Sequence, residues 1–397
     1  NQNLGSSTLQ IVEAMAYSHL LCSQLCNPDN KRDPITTSSE NYFSLLTASR
    51  SSFFCQNVHF ARTSSSMQVM GSEVRNSRRR IVKTDDSKNS KTNIKSNEVG
   101  KNAEVSTLSL FSPCKINVFL RITGRRGDGF HELASLFHVI SLGDIISFSL
   151  SSSKTKDTLS SNVGGVPLDD RNLIIKSLNL YRRKTGSDNY FLVHLDKRVP
   201  TGAGLGGGSS NAATSLWAAN QFLGCCASEK ELQEWSCEIG SDVPFFFSLG
   251  AAYCTGRGEI VEDISSPVHP GARMVLIKPQ ESCSTAEVYK RVRLNETSAI
   301  DPLMLLRKIA LSGISQDACI NDLESPAFEV VPSLKALKQR MCEGGYDAVF
   351  MSGSGSTMVG VGSAEAPEWI RDCGVFCSEA YFITRQPNLW YGKPASP

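Results

Sequence analysis

A glycine-rich stretch in the middle of the chain has the residue types of an anion-binding loop. It spans residues 200–210 with the sequence PTGAGLGGGSS, and an apolar, strand-like run precedes it. Because glycine has no Cβ, a ligand can approach the backbone closely and φ can become positive without steric cost. Apolar residues at helical spacing follow the loop. These flanks favour a phosphate site at a helix N-terminus over a flexible Gly/Ser linker.

The two commonest nucleotide-binding loops do not account for this stretch. Gly202, Gly204 and Gly207 fit G-x-G-x-x-G, but a dinucleotide fold also needs an acidic residue ending a second strand about twenty residues on. The chain has a polar, helix-like run at that distance. A Walker A loop is excluded because no Lys-Ser or Lys-Thr closes the stretch. A third type remains, in which backbone amides and serine hydroxyls hold the phosphates.

Lys115, Asn117 and Asp242 are the polar side chains that suit phosphoryl transfer. Lys115 and Asn117 are two residues apart in an apolar, β-branched stretch, so they share one face of a predicted strand. Asp242 ends a predicted helix and precedes a predicted apolar strand. Taken alone, the first two are equally consistent with an exposed edge pair, and Asp242 with an ordinary turn residue.

Together, Lys115 and Asp242 make chemical sense as a catalytic pair. Phosphoryl transfer has a loose transition state, so an enzyme mainly aligns the acceptor hydroxyl and neutralises charge. A carboxylate of pKa about 4 is too weak a base to remove an alcohol proton early. We therefore expect Asp242 to orient the hydroxyl and accept its proton late. Lys115 is expected to keep that carboxylate ionised and to offset charge on the phosphoryl oxygens.

The chain resembles the GHMP family of small-molecule kinases, and within it the 4-diphosphocytidyl-2-C-methyl-D-erythritol kinases. The resemblance covers residues 108–384. In such kinases a second glycine-rich segment packs beside the phosphate loop, and residues 352–357 match it, although in isolation they indicate a tight turn. The motifs that carry the resemblance are PCKINVFL from Pro113, GDGFHEL from Gly127, GAGLGGGSSNAA from Gly202, GSDVPFF from Gly240 and NDLESPA from Asn321.

The resemblance implies ATP-dependent phosphorylation of the 2-hydroxyl of 4-diphosphocytidyl-2-C-methyl-D-erythritol in the non-mevalonate isoprenoid pathway. It implies that Lys115 and Asp242 are catalytic, that Asn117 helps to hold the acceptor, and that His131 reads the cytosine edge. Neutral imidazole suits that task because it offers one donor and one acceptor, although a lone loop histidine is more often structural. Phe130 stands where the family usually has tyrosine; it keeps the stacking face and loses the phenol hydroxyl.

Nucleotide binding is expected from the whole glycine loop. Mg²⁺ is expected with ATP because the phosphates need charge neutralisation, and Ser209 and Ser210 are candidate contacts without an assigned ligand set. The residues assigned to ATP are Pro200, Thr201, Gly202, Ala203, Gly204, Leu205, Gly206, Gly207, Gly208, Ser209 and Ser210.

Composition limits the other partners of this 397-residue chain. Its net charge of +2 gives no global reason to expect nucleic acid or an anionic membrane. No apolar run approaches the ~20 residues that a membrane-spanning helix needs. The thirteen cysteines show no paired C-x-x-C set, so we expect buried thiols in a reducing compartment. Cys22/Cys26 and Cys373/Cys377 have C-x-x-x-C spacing, and we expect no metal there. We expect a monomer or a weak homodimer.

The first hundred residues differ from the rest. They are rich in Ser and Thr, basic residues outnumber acidic ones, and a polar run without aromatics follows. Such a composition cannot bury a core, so we expect disorder. A Ser-rich, acid-poor start indicates a plastid or mitochondrial transit peptide, and the resemblance favours the plastid stroma. A disordered regulatory tail is the alternative. The chain begins with Asn1, so we expect the native start at Met15.

We predict an α+β protein of two domains. Irregular alternation of strands with helix pairs favours this class over a regular βαβ arrangement. The resemblance implies a ribosomal-S5-domain-2-like first domain and a ferredoxin-like second domain, with the site in the cleft between them. We divide the chain into a transit peptide and linker (1–106), an ATP-binding domain (107–267), a C-terminal domain (268–386) and a tail (387–397).

Two other functions remain open. One is a related GHMP kinase that acts on homoserine, mevalonate or a sugar; Phe130 and His131 favour a nucleotide-linked acceptor instead. The other is a catalytically silent sensor that binds ligand and signals through protein contacts. Sensors tend to lose the transfer residues, whereas Lys115 and Asp242 are both present.

Overall fold

The structure is a computed structural model that describes residues 106–394, except 154, 270, 364 and 371–373. The expected transit peptide, the expected start at Met15 and the pair Cys22/Cys26 lie outside the described residues. Cys373 does too. Within the described residues, no helix has the length and apolar character needed to cross a bilayer.

A long hairpin organises the first sheet. Its strands, β1 (Thr107–Arg125) and β2 (His131–Leu150), pair antiparallel over almost their whole length. The two halves of β2 have different second neighbours, because residues 145–150 pair with β4 and residues 133–138 pair with β5. The remaining strands of this sheet are β3 (Thr158–Ser161), β4 (Phe191–Asp196), β5 (Ala251–Gly256) and β6 (Ile260–Asp263), in the order β3-β4-β2-β5-β6.

Three α-helices and a 3-10 helix belong to this part of the chain. The first helix, α1 (Leu173–Thr185), begins after Asn172, whose side chain accepts a hydrogen bond from the Ile174 amide. The third helix, α3 (Glu229–Ser236), begins with a capping box that Ser228 and Glu231 form. Apolar faces of these helices form one core with the sheet, including Leu216. The helices are α1 (Leu173–Thr185), α2 (Gly207–Phe222), α3 (Glu229–Ser236) and the 3-10 helix Pro244–Phe247.

The second sheet is antiparallel, with strand order β10-β7-β9-β8. Ile116 and Val118 of β1 belong to one apolar cluster with Leu276 and Phe350 of this sheet. The elements are β7 (Arg273–Lys278), α4 (Thr285–Lys290), α5 (Pro302–Ser312), α6 (Glu324–Val330), α7 (Ser333–Cys342), β8 (Ala348–Met351), β9 (Met358–Val361) and β10 (Phe376–Tyr381), with 3-10 turns Leu294–Glu296 and Glu368–Ile370.

The α+β class is confirmed, since helices accompany two predominantly antiparallel sheets. The division at residues 267 and 268 stays a prediction; it falls between β6 and β7. The apolar strand expected after Asp242 was wrong at its start, because Pro244–Phe247 is a buried 3-10 helix and β5 begins only at Ala251. The helix expected after the glycine loop begins within the loop, at Gly207, so α2 includes its last residues.

Candidate active site

The glycine loop ends at the N-terminus of α2, where backbone donors are left free. Gly206 precedes the helix with a φ of 66° and provides no side-chain cap. The first N–H groups of a helix have no intrahelical acceptor, so those of Gly207, Gly208 and Ser209 are available to a ligand. No acidic residue stands in the first turn of α2. This end of the helix therefore attracts an anion.

Close packing explains the glycines at two positions of the loop. A Cβ on Gly204 would lie 2.3 Å from the Ser352 carbonyl oxygen, and one on Gly206 would lie 3.0 Å from Lys115 Cγ. Hydrogen bonds fix the same contacts. The Lys115 amide donates to the Leu205 carbonyl at 3.0 Å, and Ser352 Oγ donates to the Gly204 carbonyl at 2.9 Å. The structure thus brings together the glycine loop, the Lys115 segment and the second glycine-rich segment, residues 352–357.

Lys115 and Asp242 form an ion pair beside this loop. Lys115 Nζ lies 3.5 Å from Asp242 Oδ2, and the lysine side chain is 4% exposed whereas the aspartate side chain is 32% exposed. The ammonium also donates to Asn117 Oδ1 at 2.7 Å and lies 4.3 Å from the centre of the Phe137 ring. A buried cation is therefore held next to a carboxylate that solvent or a substrate can reach.

Asn117 is placed to orient Lys115. Its Oδ1 accepts from the ammonium, and its Nδ2 donates to Ser135 Oγ at 2.9 Å. Ser135 in turn donates to the Phe119 carbonyl oxygen. Asn117 lines the cavity described next, but both of its side-chain polar groups already bond within the protein. The two-residue spacing on β1 is what sets the lysine and the asparagine side by side.

A large cavity of about 1010 Å³ opens beside the ion pair. Lys115, Asp242, Phe130 and His131 all line it. Phe130, at the end of the β1–β2 loop, is 55% exposed. His131 is the first residue of β2 rather than a loop residue. Burial lowers the pKa of His131, and the nearby Arg125 charge lowers it further.

Tyr289 on α4 was missed by the sequence reasoning. Its ring faces His131, with the two ring centres 5.5 Å apart, and it lines the large cavity. Burial and the charge of Asp242 raise its pKa, so the phenol stays neutral. Helix α4 is six residues long, too short to show helical periodicity, so only the packing of α4 reveals the position of Tyr289.

A smaller cavity of about 360 Å³ lies at the glycine loop and is lined by all the loop residues from Pro200 to Ser209. The two cavities share Gly204, Gly206 and Ser209. Lys197 also lines the smaller cavity, where its ammonium donates to Asp144 Oδ2 at 2.6 Å. A ligand in the smaller cavity can therefore direct a terminal group past the loop amides toward Lys115.

The two loop serines differ in their surroundings. Ser210 is buried and its Oγ accepts from Ser112 Oγ at 2.9 Å, whereas Ser209 faces both cavities. Among the described residues, no three His, Cys, Asp or Glu side chains are grouped as a protein-held metal requires. The donor set at the loop fits an ion carried by phosphates and water, which is how Mg²⁺ usually accompanies a nucleotide.

Known proteins are similar to this chain in sequence. Residues 172–250 match the family described as GHMP kinases N terminal domain. The chain is 65% identical over 353 residues to a tomato protein named 4-diphosphocytidyl-2-C-methyl-D-erythritol kinase, chloroplastic/chromoplastic, covering 87% of this chain and 88% of the relative. It is 60% identical over 392 residues to a rice protein named as the chloroplastic form of that kinase, covering 96% of each.

Solved structures also match this chain. A crystal structure of 4-(cytidine 5'-diphospho)-2C-methyl-D-erythritol kinase matches with a TM-score of 0.56 and 31% identity, covering 69% of this chain and 99% of that one. A homoserine kinase from Cytophaga hutchinsonii shares the fold, with a TM-score of 0.55 and 17% identity over 73% of this chain and 99% of its own. The chain therefore belongs to the 4-diphosphocytidyl-2-C-methyl-D-erythritol kinase family of GHMP kinases.

Proposed function

We propose that this protein transfers the terminal phosphoryl group of ATP to the 2-hydroxyl of 4-diphosphocytidyl-2-C-methyl-D-erythritol, giving the 2-phosphate and ADP. One observation carries the proposal: the Lys115–Asp242 ion pair lies against Gly206, where the two cavities meet. The plant relatives with 60–65% identity bear the name of this kinase. ATP use follows from membership of the GHMP family.

In this proposal the nucleotide occupies the smaller cavity. The free amides at the start of α2 donate to its phosphates, and the dipole of α2 favours their negative charge. The residues from Pro200 to Ser209 form the wall on which the phosphates lie, whereas Ser210, also expected to bind ATP, is buried and lines neither cavity. This binding aims the terminal phosphorus at the large cavity, because Gly204, Gly206 and Ser209 border both spaces.

The acceptor alcohol occupies the large cavity with its hydroxyl at Asp242. Asp242 accepts the hydroxyl hydrogen bond, aligns the oxygen with the phosphorus and takes the proton late in the transfer. Lys115, whose ammonium lies 3.5 Å from Asp242 Oδ2, offsets the charge that grows on the transferred oxygens. Asn117 holds the Lys115 ammonium in place through its 2.7 Å hydrogen bond.

Mg²⁺ is proposed as the ion that accompanies ATP, where it would neutralise phosphate charge. Ser209 is the loop serine assigned to approach it, because this residue lines both cavities while Ser210 is engaged with Ser112. The backbone amides of the loop supply further positive potential, which stabilises the negative charge of the phosphates.

Recognition of the cytidine is assigned to the aromatic end of the large cavity. Phe130, His131 and Tyr289 line it from the β1–β2 loop, the start of β2 and α4. A pyrimidine stacks on such rings, and neutral His131 offers one donor and one acceptor to its polar edge. The lowered pKa of His131 favours that neutral form.

The reaction belongs to the non-mevalonate route to isoprenoids, and the protein acts in the plastid, as the chloroplastic names of its plant relatives indicate. The rival kinase activities are less well supported, because the homoserine kinase shares the fold at only 17% identity. The silent-sensor alternative is disfavoured by the intact Lys115–Asp242 pair.

The test is an assay of the full-length protein with ATP and a panel of alcohols: the cytidylyl substrate, homoserine, mevalonate and galactose. We expect ADP formation with the cytidylyl substrate alone. The variant D242N should lower kcat at least about a hundredfold, the range expected for losing a positioned base, while ATP affinity by calorimetry changes less than about twofold. The matched control is D317N, an exposed aspartate that lines neither cavity.

Each other outcome has a definite meaning. Turnover of homoserine, mevalonate or galactose without turnover of the cytidylyl substrate would mean that this other alcohol is the acceptor. Ligand binding with no turnover of any alcohol would favour the sensor. A D242N variant that retains more than a tenth of the wild-type kcat would remove Asp242 from its assigned role.

A further inference from the structure

Four basic side chains line the large cavity: Lys115, Arg125, Arg257 and Lys290. Lys115 pairs with Asp242, and Lys290 donates to Glu287 Oε1 at 2.8 Å. The two arginines differ from the lysines, because neither guanidinium donates a hydrogen bond to any residue that the structure describes. Arg125 also forms no ion pair with a described carboxylate, and Arg257 forms one with Glu259, whose Oε1 lies 3.5 Å from Nε. The cavity lining thus includes two guanidinium groups whose hydrogen-bond donors are not used within the described part of the chain.

Glu259 pairs with the Arg257 guanidinium through charge alone, because its Oε1 lies 3.5 Å from Nε and it accepts no hydrogen bond from that side chain. Its Oε2 accepts from the Arg257 backbone amide at 2.6 Å, a short charge-assisted hydrogen bond within the turn between β5 and β6. The same turn is closed by the Gly258 amide, which donates to the Thr255 carbonyl at 3.0 Å. The guanidinium is therefore presented by a fixed hairpin and remains free to bind an anion.

Arg257 lies between the two ends of the proposed acceptor site. Its guanidinium carbon is 5.2 Å from the centre of the Phe130 ring, at the aromatic end. Its neighbour Gly258 borders the catalytic end, because a Cβ there would lie 3.3 Å from Asp242 Oδ1. In the acceptor, the diphosphate likewise connects the cytidine to the methylerythritol. A cation at this place suits the anion that the proposed acceptor carries between its two ends.

We propose that Arg257, assisted by Arg125, binds the diphosphate of the acceptor and thereby selects a nucleotide-linked alcohol over a small neutral one. This inference rests on the proposed function. A guanidinium suits the task because its planar set of donors can bind two phosphate oxygens at once. Stacking of Arg257 on Phe130 holds the guanidinium near the cytidine end without using its in-plane donors.

The experiment compares CDP with cytidine as probes, by calorimetry on the full-length protein saturated with ADP so that the nucleotide site is filled. We expect the wild type to bind CDP at least about tenfold more tightly than cytidine. R257Q should lose most of that difference while its affinity for cytidine stays within twofold. R257K should recover part of it. In the kinase assay R257Q should raise KM for the cytidylyl substrate about tenfold and leave KM for ATP unchanged.

R293Q is the matched control, since Arg293 is exposed, pairs with Glu329 and lines neither cavity. It should behave as wild type, and thermal midpoints should show that every variant is folded. If the wild type phosphorylates the cytidylyl substrate but R257Q keeps both the CDP affinity and KM within twofold, the inference fails and the proposed function stands. If the wild type neither binds CDP nor phosphorylates that substrate, both the proposed function and this inference fail.

Discussion

At the scale of single residues, His131 shows how burial prepares a side chain for recognition. Its pKa is lowered by burial and by Arg125, so the imidazole is neutral above its ordinary value of about 6.5 and gains a proton only at more acidic pH. Protonation would replace its acceptor with a second donor. The neutral form, with one donor and one acceptor, is therefore the form present at the pH of a plastid stroma.

A prediction follows for the pH dependence of KM. KM for the cytidylyl substrate should be constant above pH 6.5 and should rise as the pH falls through the lowered pKa of His131. H131A should raise KM about tenfold at neutral pH, the scale of about 1.4 kcal/mol expected for a lost hydrogen bond, and should lack the acidic rise. Steady-state kinetics of both proteins from pH 5 to 8 test this. A KM for H131A within twofold of wild type would contradict it.

Part of the geometry of the candidate site was readable from the sequence, because short motifs fix local structure. Two-residue spacing on a strand is enough to place Lys115 beside Asn117. Tyr289 was not readable, since its six-residue helix shows no periodicity and its contact with His131 spans more than 150 positions of the chain. Contacts of that kind depend on how the second sheet packs, which no local pattern encodes.

At the scale of elements, the glycine loop and the segment before β9 act as one unit. The Thr357 amide donates to the Ala203 carbonyl at 3.3 Å, and Ser352 Oγ donates to that of Gly204. The first segment was predicted as a phosphate-binding loop and the second, in isolation, as a tight turn, and their mutual packing explains why one loop position tolerates no side chain. The sequence indicated glycine-rich loops, but it did not indicate which glycine faces the other segment.

G204A should therefore disable the loop. Its Cβ would lie 2.3 Å from a backbone oxygen, which cannot move as a side chain can, and the φ of 74° adds strain. A displacement of about 1 Å in the loop can cost about a hundredfold in rate, so we expect kcat/KM for ATP to fall at least tenfold. G202A is the matched control, because Gly202 also has positive φ but its Cβ would meet open space. Equal losses in both variants would mean that φ strain, not contact with Ser352, decides the effect.

The boundaries of helices and strands show where sequence patterns fail to predict the structure. Helical periodicity predicted most of α2, because this helix packs apolar residues into the first core. It failed for residues 244–247, where three consecutive phenylalanines are all buried in a 3-10 turn. A continuous apolar run fits a buried strand equally well, so only the tertiary packing distinguishes the two.

At the scale of the whole molecule, the C-terminal residues return to the first sheet. Trp390 Nε1 donates to the Phe111 carbonyl at 2.9 Å, and the Trp390 ring packs against Trp217 of α2 and Phe247 of the 3-10 helix, with ring centres 5.5 and 5.8 Å apart. Residues 387–397 were expected to be a tail. Of these, Trp390 and Tyr391 are part of the first core.

Arg385 fixes the start of this returning segment. It is buried, and its guanidinium donates to the Leu389 carbonyl at 2.9 Å and pairs with Glu229 of α3, also at 2.9 Å. Tyr391 completes the attachment by donating its hydroxyl to the Ser248 carbonyl at 2.9 Å. The segment that follows β10 is thus tied to the first sheet and its helices by both polar and apolar contacts.

The stability of the first core should therefore depend on Trp390. The side chain is only 7% exposed, so W390A should create a cavity and lose about 3–5 kcal/mol of the free energy of unfolding, the usual cost of deleting a buried aromatic ring. L389A is a matched control one residue away, because Leu389 is 60% exposed and should cost less than about 0.5 kcal/mol. Urea unfolding of the two variants and the wild type measures the difference. Equal stabilities of W390A and L389A would show that the Trp390 side chain is dispensable for the core, whereas the expected gap would make the segment around Trp390 a structural part of the first core.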